Sequence, residues 1–214
     1  MPKTNDDGKE GKNLKNTVPE ELDSEELLHL ALVASKQDKH EESISLLKRA
    51  QNKAPKEGKI YYMLGAEHAQ IGLYDRAAEE MTKAVALDPQ LHTASFQLGL
   101  LHITSGRIEA ATQAWLALDA LSDENPLFLF KTGMLHLVRD EFEKCATLLK
   151  KGIELNKSNE SLNSDMQRIL IDVEKHLGTM KTPAGKPPAS KPNGSAAKHV
   201  LLSAYRQNKD EETD

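Results

Sequence analysis

The sequence predicts an all-α solenoid of four helical hairpins stacked in a row and closed by a C-terminal capping helix. Three observations predict it. Ala31, Gly65, Gly99 and Gly133 follow one another at a constant interval of 34 residues. Their neighbours keep the same phase: Leu30, Leu64 and Leu98 precede the small residue, and His68, His102 and His136 follow it by three. Beyond the last interval, Met166, Ile169, Leu170, Val173 and Leu177 form a one-sided apolar stripe. A strict period of this length marks units that bury their apolar faces only by stacking on one another, with a terminal helix that is polar on its outer side. Such arrays present a concave surface to other chains, so binding is the first function implied.

The elements follow in order. Residues 1–16 are polar, of mixed charge and without an apolar core, and read as a disordered arm. Thr17-x2-Glu20 has the form of a capping box for a lead-in turn, and the folded domain is expected over 17–177. Asp23-Ser24-Glu25-Glu26 reads as an N-cap with acidic first-turn residues, which suit the positive end of the helix dipole. Hairpins are expected at about 24–57, 58–91, 92–125 and 126–159. In the second, Tyr61, Leu64, Gly65 and His68 lie at i, i+3, i+4 and i+7 on one stripe, and Ala77, Ala78, Met81, Ala84 and Val85 lie on one side of the next helix. Gly72 and Gly106 fall where the chain must reverse. Asp88-Pro89 closes the second helix of its hairpin, because proline disfavours helical angles before it. The mid-helix glycines cost about 1 kcal/mol each against alanine, which predicts close helix–helix approach in return. The capping helix is expected over 160–177, ending before Gly178.

The repeated residues resemble the tetratricopeptide repeat, W-x2-L-G-x2-Y, then A-x3-F, then P. Repeat two reads Tyr61-x2-Leu64-Gly65-x2-His68, Ala77-x3-Met81 and Pro89; repeat three reads Ser95-x2-Leu98-Gly99-x2-His102 and Ala111-x3-Trp115, without the proline. Repeat four reads Leu129-x2-Thr132-Gly133-x2-His136 and Cys145-x3-Leu149. Repeat one is more degenerate, with Leu27-x2-Leu30-Ala31-x2-Ala34, Ser43-x3-Leu47 and Pro55. The resemblance covers about 24–159 and implies a right-handed α-solenoid. Histidine stands three times where the family has tyrosine.

Composition narrows the function. The 214 residues are 38% hydrophobic with a net charge of −5, and the repeats show no basic face, which argues against a nucleic-acid partner. The N-terminus has no signal-peptide core and no stretch approaches membrane-spanning length, so neither a membrane partner nor a leader is expected and the location reads as cytoplasmic. The single Cys145 occupies a small-residue packing position, as a buried and unreactive thiol would. His68, His102 and His136 recur on one line but stand in the place of a packing aromatic, without ligands at metal spacing. Glu79-Glu80 and Glu41-Glu42 read as solvated helix faces. With no nucleophile constellation, phosphate loop, metal site or cofactor motif, the chain is expected not to be an enzyme.

By the resemblance, a second stripe on each first helix lines the concave groove. It comprises Leu28 and Leu32 in repeat one, Tyr62, Ala66 and Ala69 in repeat two, Phe96, Leu100 and Ile103 in repeat three, and Phe130, Met134 and Leu137 in repeat four. The chaperone-binding members of the family carry Lys and Asn there to clamp a carboxylate; the apolar residues here imply instead an amphipathic helix or extended apolar peptide. The alternative is that these side chains pack between neighbouring first helices. Beyond the array, residues 178–198 form a Pro/Gly/Lys-rich linker, followed over 199–214 by an apolar motif (Val200, Leu201, Leu202, Tyr205) and an acidic end. The motif reads either as a helix packing weakly on the array or as a tethered ligand, including one for the chain's own groove. The expected function is therefore a protein-interaction adaptor or chaperone-like module; the alternative is a scaffold that uses the groove or convex face to form homo-oligomers.

Overall fold

The computed structural model describes residues 22–180. Within them the chain forms nine α-helices and no strand. The first-type helices α1 (Ser24–Ser35), α3 (Gly58–Gln70), α5 (His92–Thr104) and α7 (Pro126–Val138) alternate with α2 (His40–Lys53), α4 (Tyr74–Leu87), α6 (Ile108–Ala114) and α8 (Phe142–Leu155), and α9 spans Glu160–Met180. The expected arm 1–16, the Thr17-x2-Glu20 box, the linker past residue 180 and the motif at 199–214 lie outside the described residues.

Local chemistry starts and stops these helices. Asp23 caps α1 by accepting from the amides of Glu25 and Glu26, while Glu26 accepts from the Asp23 amide at 2.9 Å, which completes a capping box. Each first helix ends in the same turn. The amides of Lys39, Leu73, Arg107 and Glu141 reach back to the carbonyls of Ala34, His68, His102 and His136 at 2.8–3.0 Å, the Schellman pattern. The residue before each of these amides is left-handed: Asp38 and Asp140 at φ 57°, Gly72 at 80° and Gly106 at 73°. Two of the four turns thus use aspartate, which tolerates that region better than most side chains.

The small mid-helix residues mark close approach. A Cβ on Gly65 would lie 2.7 Å from Met81 Cγ, and one on Gly99 would overlap the Trp115 indole. At Gly133 the corresponding contact, Leu149 Cδ2 at 3.3 Å, is looser. Repeat three differs from the others in its second helix. α6 stops at Ala114, Trp115 caps it, and the chain tightens into a 3₁₀ helix over Leu116–Ala120. The helix changes type where the largest side chain of the array is inserted.

α9 packs antiparallel to α8. His176 meets Phe142 at the start of α8, with ring centroids 4.3 Å apart, and Asn163 Nδ2 donates to the Asn156 carbonyl at its end at 2.8 Å. The helix continues through Gly178 to Met180, past the end expected from the sequence. Glycine at an exposed last turn weakens a helix without stopping it when the preceding turns are anchored. The apolar side of α9 (Leu162, Met166, Ile169, Leu170 and Val173) belongs to one core with α5 through α8, which makes the C-terminal half of the array a single packed unit.

Candidate peptide-binding groove

The stripe expected to line the groove divides into two halves with different fates. In the N-terminal half, Leu32 is 44% exposed and Leu28, Tyr62, Ala66 and Ala69 are half-buried. In the C-terminal half, Phe96, Phe130, Met134 and Leu137 are fully buried, and Leu100 and Ile103 nearly so. Those six are core residues, which corrects the sequence expectation that they line an open surface. All six lie in one core cluster with Trp115 of repeat three and with the apolar side chains of α9, so the stripe of repeats three and four is enclosed rather than open.

Ring packing completes the closure. Phe96 stacks on Trp115 at 5.8 Å and meets Phe130 at 6.0 Å, and Phe130 presses against α8 where a Cβ on Gly152 would overlap its ring. The coverage extends to the boundary with repeat two. Burial pushes the Tyr62 phenol upward, and the Asp165 carboxylate of α9 adds to the shift. Burial also raises Asp165 itself, against the opposing pull of Arg168, whose guanidinium lies 3.7 Å away. A carboxylate on α9 is therefore near enough to a phenol on α3 to act on it through its charge.

The recurring histidines are paired individually. His68 is buried with Nδ1 2.5 Å from Glu80, and His136 Nδ1 pairs with Glu141, whose carboxyl is held below its usual range by that contact and by Lys144. His102 Nδ1 is buried and has no hydrogen-bond partner among the described residues; burial lowers its pKa, and Arg107 adds to the effect. Arg107 occupies the register position that Glu141 holds one repeat later. Glu80 is not the solvated residue expected from the Glu79-Glu80 pair, because it turns inward to His68 and also meets Arg76 at 3.6 Å. Sequence reading also missed Glu67, buried on α3 and paired with His40 at 2.8 Å, and Lys131, buried against Asp119. No spacing signalled these pairs, since the carboxylate comes from a different register position each time. Cys145 is fully buried, and burial pushes its thiol up to about 12, which leaves it unreactive at neutral pH.

Residues 28–92 and 62–126 each match the tetratricopeptide repeat family model. Residues 28–126 are thus built of tetratricopeptide repeats. Solved structures agree on the fold of this repeat protein. TTC0263, a thermophilic tetratricopeptide repeat protein of Thermus thermophilus, aligns with a TM-score of 0.61 at 16% identity, over 88% of this chain and 94% of that one. The Cut9–Hcn1 hetero-tetramer of the APC/C gives 0.63 at 18% identity, over 90% of this chain but 34% of that one. YrrB, described as a tetratricopeptide repeat protein with an unusual peptide-binding site, gives 0.51 at 12% identity, over 87% of each chain. No curated protein matches the sequence. Tetratricopeptide repeat proteins are in general interaction scaffolds rather than catalysts, and no helix among the described residues is long and apolar enough to cross a membrane.

Proposed function

We propose that this tetratricopeptide repeat protein is an adaptor, and that the open half of its groove, formed by α1 and α3, takes an apolar or amphipathic helix of a partner protein. The observation that carries this reading is the division of the stripe. Where repeats three and four present it, the stripe is buried in one core with the chain's own amphipathic helix α9; where repeats one and two present it, Leu32 stands 44% exposed beside the half-buried Leu28, Tyr62, Ala66 and Ala69. The same positions on successive repeats form the same kind of surface, so a surface that accepts one amphipathic helix is suited to a second.

The probe is a fluorescent 18-residue amphipathic peptide with Leu at i, i+3, i+4 and i+7 and alternating Glu and Lys elsewhere. Fluorescence anisotropy should show saturable binding to the full chain that Leu32→Asp and Ala69→Asp abolish with helical content unchanged. Binding indifferent to both substitutions would refute the reading. Sedimentation equilibrium over a range of concentrations tests the other class, since a self-assembling scaffold would gain mass through the same face.

A further inference from the structure

One end of the open half, at Leu32 and Ala69, lies at the edge of the array from which the chain leaves α9. Each first-type helix runs antiparallel to the second-type helix beside it: His40 at the start of α2 pairs with Glu67 near the end of α3, and Phe142 at the start of α8 meets His176 near the end of α9. The first-type helices and α9 are therefore parallel, and Met180 departs at the edge where Leu32 and Ala69 end their helices. Nineteen residues, 181–199, separate it from the apolar motif.

The motif repeats the pattern of the helix that fills the other half. Ile169-Leu170-Ile171-Asp172-Val173 of α9 is three apolar residues, one polar and one apolar; Val200-Leu201-Leu202-Ser203-Ala204 has the same order. With Tyr205 included, Val200 and Ala204, and Leu201 and Tyr205, are each four apart, the spacing that places two side chains on one helical face. In α9 that spacing gives Ile169 and Val173, both buried in the core shared with Phe96 and Phe130.

We infer that Val200, Leu201, Ala204 and Tyr205 occupy the α1–α3 half of the groove of their own molecule, as α9 occupies the other half, so that a partner gains the groove only by displacing them. The inference rests on the groove reading above. Nineteen residues span about 24 Å as a flexible chain and about 65 Å at full stretch. Asp165 of α9 already acts on Tyr62 of α3, and α1 is one further helix step of about 8–10 Å, so the α1–α3 half lies within that span. Tethering then supplies an effective concentration of about 1 mM, so a contact with a Kd of about 0.1 mM is about nine-tenths occupied and weakens competing ligands about tenfold.

The full chain carrying Ser203→Cys takes a nitroxide at that position alone, because the Cys145 thiol is buried and pushed up to about 12. The methyl resonances of Ala66 and Ala69 should lose more than half their intensity, equally at low and high protein concentration. The triple change Leu201→Asp, Leu202→Asp, Tyr205→Asp should restore them. A synthetic peptide of residues 196–208 should bind that triple variant about tenfold more tightly than the unaltered chain. Undiminished methyl signals overturn the inference, and broadening that grows with concentration overturns it in favour of a second copy. If the peptide binds both chains equally but is lost when Leu32→Asp and Ala66→Asp are added, the groove reading stands and self-occupancy falls. If it still binds after those additions, the groove reading itself falls.

Discussion

The indole of Trp115 lies across Gly99 and donates its Nε1 hydrogen to the carbonyl of Phe96 at 2.9 Å. One glycine on α5 thus admits the largest side chain of the following helix, and the same indole stacks on the Phe96 ring. The pair anchors the core that α9 later closes.

Gly99→Ala should destabilise the array by about 1–3 kcal/mol, because the added methyl overlaps a ring that packing holds in place. Gly133→Ala should be nearly neutral or stabilising. There the methyl meets the flexible end of Leu149, and alanine's helix propensity returns up to about 1 kcal/mol. Thermal denaturation of the two variants side by side checks this; equal losses would mean that the indole moves aside freely.

Phe96→Glu should unfold the C-terminal half rather than merely empty the groove, since Phe96 is fully buried between Trp115 and Phe130. An unpaired carboxylate there meets a desolvation cost of several kcal/mol. Loss of the near-ultraviolet circular dichroism of Trp115 is the expected sign. Ala66→Glu, in the open half, should leave that signal intact.

Asp165→Asn should raise the melting temperature at pH 7. Burial raises the Asp165 carboxyl above its unfolded value, so the folded state holds that proton more tightly and stability falls as pH rises through the folded pKa. The difference between variant and parent should be full above that pKa and vanish below the unfolded value of about 4. Partial exposure of the side chain and Arg168 at 3.7 Å keep the effect modest. The Tyr62 phenol should also titrate lower in the variant, while burial, the larger cause, keeps it above its ordinary value.

His102 works in the opposite direction. Burial and then Arg107 lower its folded pKa, so the unfolded chain takes up a proton first, and stability falls as pH drops from about 6.5 toward the folded value. His102→Gln should flatten the melting-temperature profile in that window and leave it unchanged above pH 7. NMR titration should show Arg107→Gln raising the His102 pKa without fully restoring it.

The sequence by itself determined the repeat and therefore the fold. An interval of 34 residues, a small residue in mid-helix and a turn signal after each first helix specify local hairpins, and hairpins with one apolar face can bury it only by stacking. Even the departures from glycine at Asp38 and Asp140 keep the left-handed position in register, because the turn depends on backbone angles that aspartate also tolerates. What only the tertiary structure decided is which part of the concave stripe remains a surface. Phe96 and Tyr62 occupy the same register position and are equivalent in sequence, yet one is core and the other lies at the boundary of the open half. The difference lies in what surrounds each: Phe96 is enclosed by Trp115 and Phe130 in a core that α9, a helix more than 60 residues away in the chain, joins. Burial by a distant element is a property of where the chain returns, which no local period encodes.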